Sequence, residues 1–160
     1  MKKKIIKTII EVYPNATELP KEDQQLMKKA RKALKDSYSP YSNFKVGAAV
    51  LLENGKVVVG ANQENAAYSV CICAERTALS NASSRYPKVP VVAIAVTAEA
   101  KEKKTDEPVS PCGTCRQYIS EVENRYGQAI KIIMQGVEGP VYVVPTIKSL
   151  LPLSFDGSFL

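Results

Sequence analysis

Apolar residues along the chain recur with two periods, one typical of helices and one typical of strands. Between residues 26 and 34 they follow helical spacing, which predicts an amphipathic helix that begins near Pro20 and ends before residue 37. A continuous small and apolar run over 44–52 predicts a strand buried on both faces. Asn54-Gly55 then predicts a tight turn, and the valines at 57–59 predict the returning strand of a hairpin.

The second half of the chain predicts alternating helices and strands. Helices are expected over 73–83 and 112–124, strands over 91–96, 130–134 and 141–144, a surface loop over 99–110 and a short helix over 146–150. The order α-β-β-α-β-α-β-β predicts one mixed sheet flanked by helices in a single domain. We place this domain at residues 20–160 and treat residues 1–19 as an N-terminal extension, whose apolar pattern fits either a strand or a short helix.

Composition and charge narrow the possible partners. The 160 residues are 45% hydrophobic and 24% charged, which is ordinary for a globular domain, and the net charge is +6. The lysines are scattered, and no run interleaves arginines with aromatic residues as a nucleic-acid track would. A solvated lysine-rich surface is therefore favoured over an anionic macromolecular partner.

The expected location is a reducing cytoplasm. No apolar stretch approaches the roughly 20 residues that cross a bilayer, and the apolar run behind the first lysines is broken by Lys7 and Glu11, unlike a signal peptide. In a reducing compartment, clustered cysteines bind metals or carry out redox chemistry more often than they form disulfides. The four cysteines of this chain are therefore its candidate chemistry.

Three cysteines and one glutamate form the candidate site. The chain contains no histidine, which removes histidine ligands and histidine bases. Cys112 and Cys115 share one face at a predicted helix start, where the helix dipole stabilises thiolates, and Cys73 holds the same kind of position on another helix. Zinc favours thiolate ligands, so the sequence predicts one zinc ion held by these three cysteines, with Glu75 beside it.

Two other uses of the cysteines remain open at this point. Cys71 could complete a closed four-cysteine structural site, and Cys112 and Cys115 could form a redox pair. Glu75 favours the catalytic interpretation, because a hydrolytic zinc needs a nearby proton carrier and a structural zinc does not. We interpret Cys71 as a small buried apolar residue.

Five segments of the chain resemble the cytidine deaminases of free nucleosides, in the three-cysteine and usually homotetrameric class. The segments are residues 41–49 (YSNFKVGAA), 60–68 (GANQENAAY), 73–78 (CAERTA), 111–117 (PCGTCRQ) and 150–155 (LLPLSF). The zinc motifs also fit the described pattern of zinc-dependent base deaminases, which pairs a Cys₃ site with a non-ligand glutamate. Five motifs in order are far more specific than a lone CxxC.

The resemblance implies an α/β fold, a three-layer α-β-α sandwich around a five-stranded mixed sheet. It implies hydrolytic deamination of cytidine and 2′-deoxycytidine in pyrimidine salvage, with one Zn²⁺ per subunit and no nucleic-acid or membrane partner. Cys73, Cys112 and Cys115 would be the ligands, and Glu75 would carry protons between water, N3 and the leaving amine. Arg76 resembles the arginine that hydrogen-bonds the ligand sulfurs, although a surface ion pair is the simpler alternative.

The resemblance also assigns substrate contacts. Asn62 and Glu64 correspond to the pair that binds the ribose hydroxyl, although Asn is also common in turns. Phe44 corresponds to the ring that packs on the pyrimidine, although at this strand position it could equally belong to the core. Tyr68 and the backbone of Ala74 would complete the pocket. In tetrameric members a C-terminal Phe reaches a neighbouring site, and Phe155 is the matching residue.

Three departures from the family pattern are visible. Lys45 stands where many members carry proline, and we expect it to lie near the base pocket and to influence substrate preference. The segment between the zinc motifs and the N-terminal extension are both long. Two rival functions remain: a deaminase of another substrate, such as a blasticidin-type antibiotic or a base in nucleic acid, and a zinc module without activity. Nucleic-acid deaminases usually carry His-x-Glu, which this chain lacks.

Overall fold

The computed structural model describes residues 1–160 as one sheet with helices on both faces. The six strands are β1 Glu11–Tyr13, β2 Phe44–Leu52, β3 Val57–Ala61, β4 Val91–Ala100, β5 Lys131–Gln135 and β6 Val141–Val144. The three α-helices are α1 Lys21–Ala33, α2 Ala74–Arg85 and α3 Gly113–Tyr126. Five short 3₁₀ turns complete the described elements, one of them at Ile147–Ser149, where a short helix was predicted.

The sheet is mixed, as predicted, but it has six strands instead of five. Its order is β1-β6-β5-β4-β2-β3, and only β4 and β5 run parallel. The additional strand is β1, which lies in the N-terminal extension and pairs antiparallel with β6, Val12 lying opposite Tyr142. The α3 helix forms the crossover between the parallel strands β4 and β5.

The core has two layers because successive residues of a buried strand face opposite sides of the sheet. In β2, Ala48 and Val50 pack under α2 and α3 with Leu79 and Ile119. Ala49 points to the other side, into the layer that α1 covers. The predicted three-layer α-β-α arrangement is therefore present.

Helix α2 lies unusually close to the sheet at Gly60 of β3. A Cβ atom at this position would stand 2.6 Å from the carbonyl oxygen of Ala74 and 2.5 Å from the backbone nitrogen of Ala78. Such distances are shorter than real Cβ contacts allow, so only glycine permits this approach. The contact brings the first turn of α2 directly onto the sheet.

The strand predicted over 91–96 was too short. Strand β4 continues to Ala100, so residues 99 and 100 belong to the sheet and the connecting loop begins at residue 101. The extension occurs because β2 is long enough to pair with the whole of β4, with Phe44 opposite Ala100.

No helix of the chain combines the length and the apolar character needed to span a membrane.

Candidate metal centre

The starts of two helices bring three thiols together. Cys73 is the N-cap residue of α2, Cys112 is the N-cap residue of α3, and Cys115 lies in the first turn of α3. The Sγ atoms of Cys73 and Cys112 are 3.9 Å apart, and all three Sγ atoms lie within 4.8 Å of one another. We call these three side chains the thiol cluster.

The thiol cluster fits a zinc ion. Tetrahedral zinc with Zn–S bonds of about 2.3 Å separates neighbouring sulfurs by about 3.8 Å, close to the 3.9 Å between Cys73 and Cys112. Both helices also direct their positive N-terminal ends at the cluster, which favours thiolates. Three protein ligands leave one of the four zinc positions open, as in catalytic sites.

Cys71 lies outside the thiol cluster. Its Sγ atom accepts a hydrogen bond from the Asn65 amide at 3.2 Å. The side chain is only half-buried and borders the neighbouring cavity, so its interpretation as a buried apolar residue was wrong. The loop bond to Asn65 explains the difference, because it holds the sulfur at the cavity wall.

The electrostatics of the thiol cluster favour a thiolate at Cys73. Hydrogen bonding from the Cys115 thiol, followed by the Arg76 guanidinium and the Cys112 thiol, lowers the pKa of Cys73 to about 5. The same contact with Cys73, together with burial, raises the pKa of Cys115. Of the two thiols, Cys73 is therefore the one that carries negative charge at neutral pH, which favours binding of a cation.

Glu75 stands beside the thiol cluster without belonging to it. Its side chain is only 4% exposed and borders the same cavity as Cys73 and Cys112. Burial is the main cause that raises the pKa of this carboxyl group, and the negative charge of Cys73 adds to it. A carboxyl group with a raised pKa holds a proton more tightly than a free one, which suits a general acid–base group that must both accept and release protons.

Arg76 lies against the same sulfur ligand. One guanidinium nitrogen, Nη2, donates to the carbonyl oxygen of Cys71 at 2.8 Å and lies 3.8 Å from the Sγ atom of Cys73. This contact raises the pKa of the guanidinium. The side chain thus offsets negative charge on the thiol cluster instead of forming a surface ion pair.

A cavity of about 590 Å³ opens in front of these groups. Cys73, Glu75 and Cys112 line it, and so do Val109 and Ser110 of the loop that precedes α3. The volume lies in the range of small-molecule sites. A ligand in this cavity can reach the thiol cluster and Glu75 at the same time.

Four of the five predicted substrate residues border this cavity: Phe44, Asn62, Glu64 and Tyr68. Ala74 does not border it, since this first residue of α2 is fully buried. Tyr68 is 73% exposed at the mouth of the cavity, where its ring contacts that of Tyr41 edge to face. Phe44 is half-buried, with its ring on the cavity side of β2.

Asn62 and Glu64 both have structural bonds of their own. Asn62 Oδ1 accepts from the Val46 amide and the Ser37 hydroxyl, while its Nδ2 donates to the carbonyl oxygen of Phe44. Glu64 accepts from both the amide and the hydroxyl of Ser42. The hydroxyl bond is the main cause that lowers the pKa of Glu64.

Two predictions about more distant residues have different outcomes. Lys45 was expected near the base pocket, and this is wrong: it borders a separate polar cleft with Asn43 and Lys101. The reason is strand alternation, since Phe44 and Val46 face the cavity and the residue between them faces away. That Phe155 reaches a neighbouring site stays a prediction: its ring is 59% exposed and stacks on that of Phe159 at 5.7 Å.

Sequence reasoning assigned no role to several residues of the cavity wall. Tyr41 and Ser42 lie within the motif at residues 41–49, and their backbone amides both donate to the carboxylate of Glu64. Val109 and Ser110 were assigned to a surface loop. Their place two and three residues before Cys112, a predicted zinc ligand, is the one signal that could have placed them at the site.

Three comparisons with known proteins all point to the cytidine deaminases. A family profile described as "Cytidine and deoxycytidylate deaminase zinc-binding region" matches residues 20–127. A cytidine deaminase of Halalkalibacterium halodurans is 43% identical over 134 residues, which cover 84% of this chain and 94% of that protein. A cytidine deaminase of Sporosarcina psychrophila is 40% identical over 133 residues, covering 83% and 90%. The crystal structure of cytidine deaminase from Burkholderia pseudomallei superposes with a TM-score of 0.71 at 40% identity, covering 82% of this chain and 97% of that one.

Proposed function

The chain belongs to the cytidine deaminase family, and from this premise we propose that it removes the 4-amino group of cytidine and of 2′-deoxycytidine by hydrolysis. The products are uridine or 2′-deoxyuridine and ammonia. The observation that carries this proposal is the thiol cluster with a buried, non-ligating Glu75 beside it, both on the wall of one cavity. Cys73, Cys112 and Cys115 would hold one zinc ion per subunit.

Zinc supplies Lewis-acid activation that makes water a nucleophile near neutral pH. Glu75 accepts a proton from the attacking water and delivers it to N3 of the ring. Once the water oxygen is bonded to C4, Glu75 takes the second water proton from that oxygen and gives it to the amine, which leaves as ammonia when the C4–N4 bond breaks. A positioned group of this kind is worth about 10²- to 10⁴-fold in rate.

Burial of Glu75 serves both halves of this proton transfer. A carboxyl group in water has a pKa near 4.3 and holds a proton too weakly to carry it at neutral pH. At 4% exposure the carboxyl group of Glu75 has a raised pKa, mainly from burial. The raised pKa lets one residue act first as base and then as acid, and the cavity wall keeps it within reach of a bound ring.

The cavity residues would recognise a nucleoside. Phe44 would pack on the pyrimidine, with Tyr68 and the backbone of Ala74 closing the pocket. A carboxylate offers about four acceptor sites, and three donors already bind Glu64: the amides of Tyr41 and Ser42 and the hydroxyl of Ser42. One acceptor site therefore remains for a ribose hydroxyl.

Asn62 has the complementary capacity. A primary amide carries two N–H donors, and Asn62 gives one of them to the carbonyl oxygen of Phe44. The second donor is available to a ribose hydroxyl oxygen. Asn62 and Glu64 together would therefore bind one hydroxyl as donor and acceptor, which supports a nucleoside substrate over a free base.

We also propose a homotetramer in which Phe155 lies near a neighbouring site. The side chain of Gln117 donates to the carbonyl oxygen of Phe155 at 2.8 Å, which anchors the tail on α3, while the Phe155 ring stays exposed. Dilution below the assembly concentration should then reduce specific activity. Full activity of a dilute monomer would contradict this assembly.

Residues 20–160 would form the catalytic domain, and 1–19 an extension that adds β1 to its sheet. All four cysteines are free, which is consistent with a reducing cytoplasm, where the enzyme would serve pyrimidine salvage. The substrate would be a small molecule, without a nucleic-acid or membrane partner.

The decisive experiment compares wild type with Glu75→Gln for zinc content and cytidine turnover. We expect equal zinc and a rate lowered by about 10²- to 10⁴-fold. Cys71→Ser should retain both zinc and activity, whereas a closed four-cysteine module would lose its metal. Assays with deoxycytidine, cytosine, blasticidin S and an oligonucleotide define the substrate class, and activity confined to one of the last two would overturn the nucleoside assignment.

A further inference from the structure

Two buried polar side chains fix the turn between β5 and β6, residues 136–140. The hydroxyl of Thr97 donates to the carbonyl oxygen of Gly136 at 2.7 Å. The amide nitrogen of Gln135 donates to the carbonyl oxygen of Gly139 at 2.7 Å, and its oxygen accepts from Arg31 of α1 at 2.6 Å. Thr97 and Gln135 are at most 1% exposed, so these bonds hold both ends of the turn firmly.

The turn is in direct backbone contact with the long loop that precedes α3, residues 101–112. The Val137 amide donates to the carbonyl oxygen of Thr105 at 2.8 Å. A Cβ atom at Gly136 would stand 2.1 Å from that oxygen, and one at Gly139 would stand 2.1 Å from the carbonyl oxygen of Asp106. The loop can therefore lie this close only because the turn has glycine at both positions.

The other end of the same loop forms the wall of the substrate cavity. Val109 and Ser110 border the cavity and lie between Pro108 and Pro111, whose rings restrict backbone rotation. Beyond them, Arg116 donates to the Pro111 carbonyl oxygen at 2.8 Å. Because Arg116 holds the loop at Pro111 and Pro108 stiffens the segment before it, a shift at residues 105–106 also moves residues 109–110.

We propose that the β5–β6 turn is a positioning element for the substrate cavity, which acts through its backbone contact with residues 105–106. Gly136 and Gly139 are positioning residues that touch neither substrate nor metal. The kinetic part of this inference rests on the cytidine deaminase activity proposed above. The part that concerns the loop does not depend on that activity.

A matched pair of glycine substitutions tests the proposal. Gly139 and Gly55 both have positive φ, at 83° and 78°, so alanine adds similar backbone strain at either position. At Gly55 a Cβ would meet nothing within 4 Å, whereas at Gly139 it would collide with Asp106. The collision displaces the loop and not the turn, because residues 101–104 are exposed while buried side chains hold the turn.

For Gly139→Ala we expect KM for cytidine to rise about tenfold over Gly55→Ala, well within the loss that a shift of about 1 Å can cause. Zinc content and kcat should match those of the control. Amide hydrogen exchange over residues 105–112 should be faster in Gly139→Ala than in Gly55→Ala. Equal KM values and equal exchange would overturn the proposal, and so would a joint loss of zinc and kcat, which would place the effect at Cys112.

A second variant covers the case in which Gly139→Ala fails to fold. Thr97→Val keeps the side-chain shape but removes the hydroxyl that donates to the Gly136 carbonyl oxygen at 2.7 Å and holds the turn in place. It should raise KM and loop exchange in the same direction, and unchanged values would contradict the proposal. A wild-type protein inactive on cytidine would reject the proposed function, and the exchange comparison would still decide the role of the turn.

Discussion

The Arg76→Gln variant tests whether the positive charge of Arg76 stabilises the thiol cluster or is only a surface charge without effect on it. The guanidinium Nη2 lies 3.8 Å from the Sγ atom of Cys73, whose pKa of about 5 makes it a thiolate at neutral pH. Unit charges at this distance attract by about 4 kcal/mol at an effective dielectric constant of about 20. Arg76 is only half-buried, so solvent reduces this figure.

The discounted effect should resemble that of other groups that hydrogen-bond metal ligands, about 10- to 100-fold in metal affinity or rate. We therefore expect Arg76→Gln to fold normally but to lose zinc to a chelator at about 10- to 100-fold lower chelator concentration, or to show a similar fall in kcat. Chelator competition monitored by absorbance gives the affinity, and steady-state assays give kcat.

Arg85→Gln is the matched control for this experiment. It removes the same charge from the last turn of the same helix, where the side chain is exposed and distant from the thiol cluster. Its zinc affinity and kcat should equal those of wild type. If Arg76→Gln is as tight and as fast as wild type, or if Arg85→Gln falls equally, the local charge argument is refuted.

Four further outcomes follow from the structure. Leu79→Ala should lower the free energy of unfolding in urea by about 2–5 kcal/mol, because Leu79 is fully buried between α2 and the sheet. Deletion of residues 1–13 removes the three cross-strand pairs of β1. It should lower the free energy of unfolding by about 1–3 kcal/mol and leave turnover unchanged. The pKa of Glu64 is lowered, so its ionised form stabilises the fold above about pH 4.3 and this contribution is lost as the pH falls through the lowered pKa. Glu64→Gln should therefore flatten the dependence of Tm on pH on the acid side. Dialysis against a chelator should abolish turnover, and added zinc should restore it, because the three thiols offer the only cluster of potential ligands.

The sequence predicted what depends on local pattern. The continuous apolar run of β4 and the Asn-Gly turn at 54–55 placed the centre of the sheet correctly. Cys73, Cys112 and Cys115 were also placed correctly at helix starts, because capping position and spacing are local properties.

The features that were missed depend on partners distant in sequence. Strand β1 has only three residues, and its pairing with β6 joins positions 130 residues apart, such as Val12 and Tyr142. The roles of Thr97 and Gln135 rest on bonds to residues 39 and 104 positions away. The error at Lys45 had a different origin, since neighbours along a strand do not share a face.

Because Gly60 has no side chain, the backbone of helix α2 can lie directly on the sheet. Replacing strand glycines by residues of higher β propensity is an ordinary way to stiffen a sheet, but here a single methyl group would lift the backbone of Ala74 and Ala78. The lift would carry Cys73 and Glu75 away from the two cysteines of α3. A laboratory selection for heat resistance should therefore accept new side chains at many exposed sites and reject them at residue 60 whenever turnover is also required.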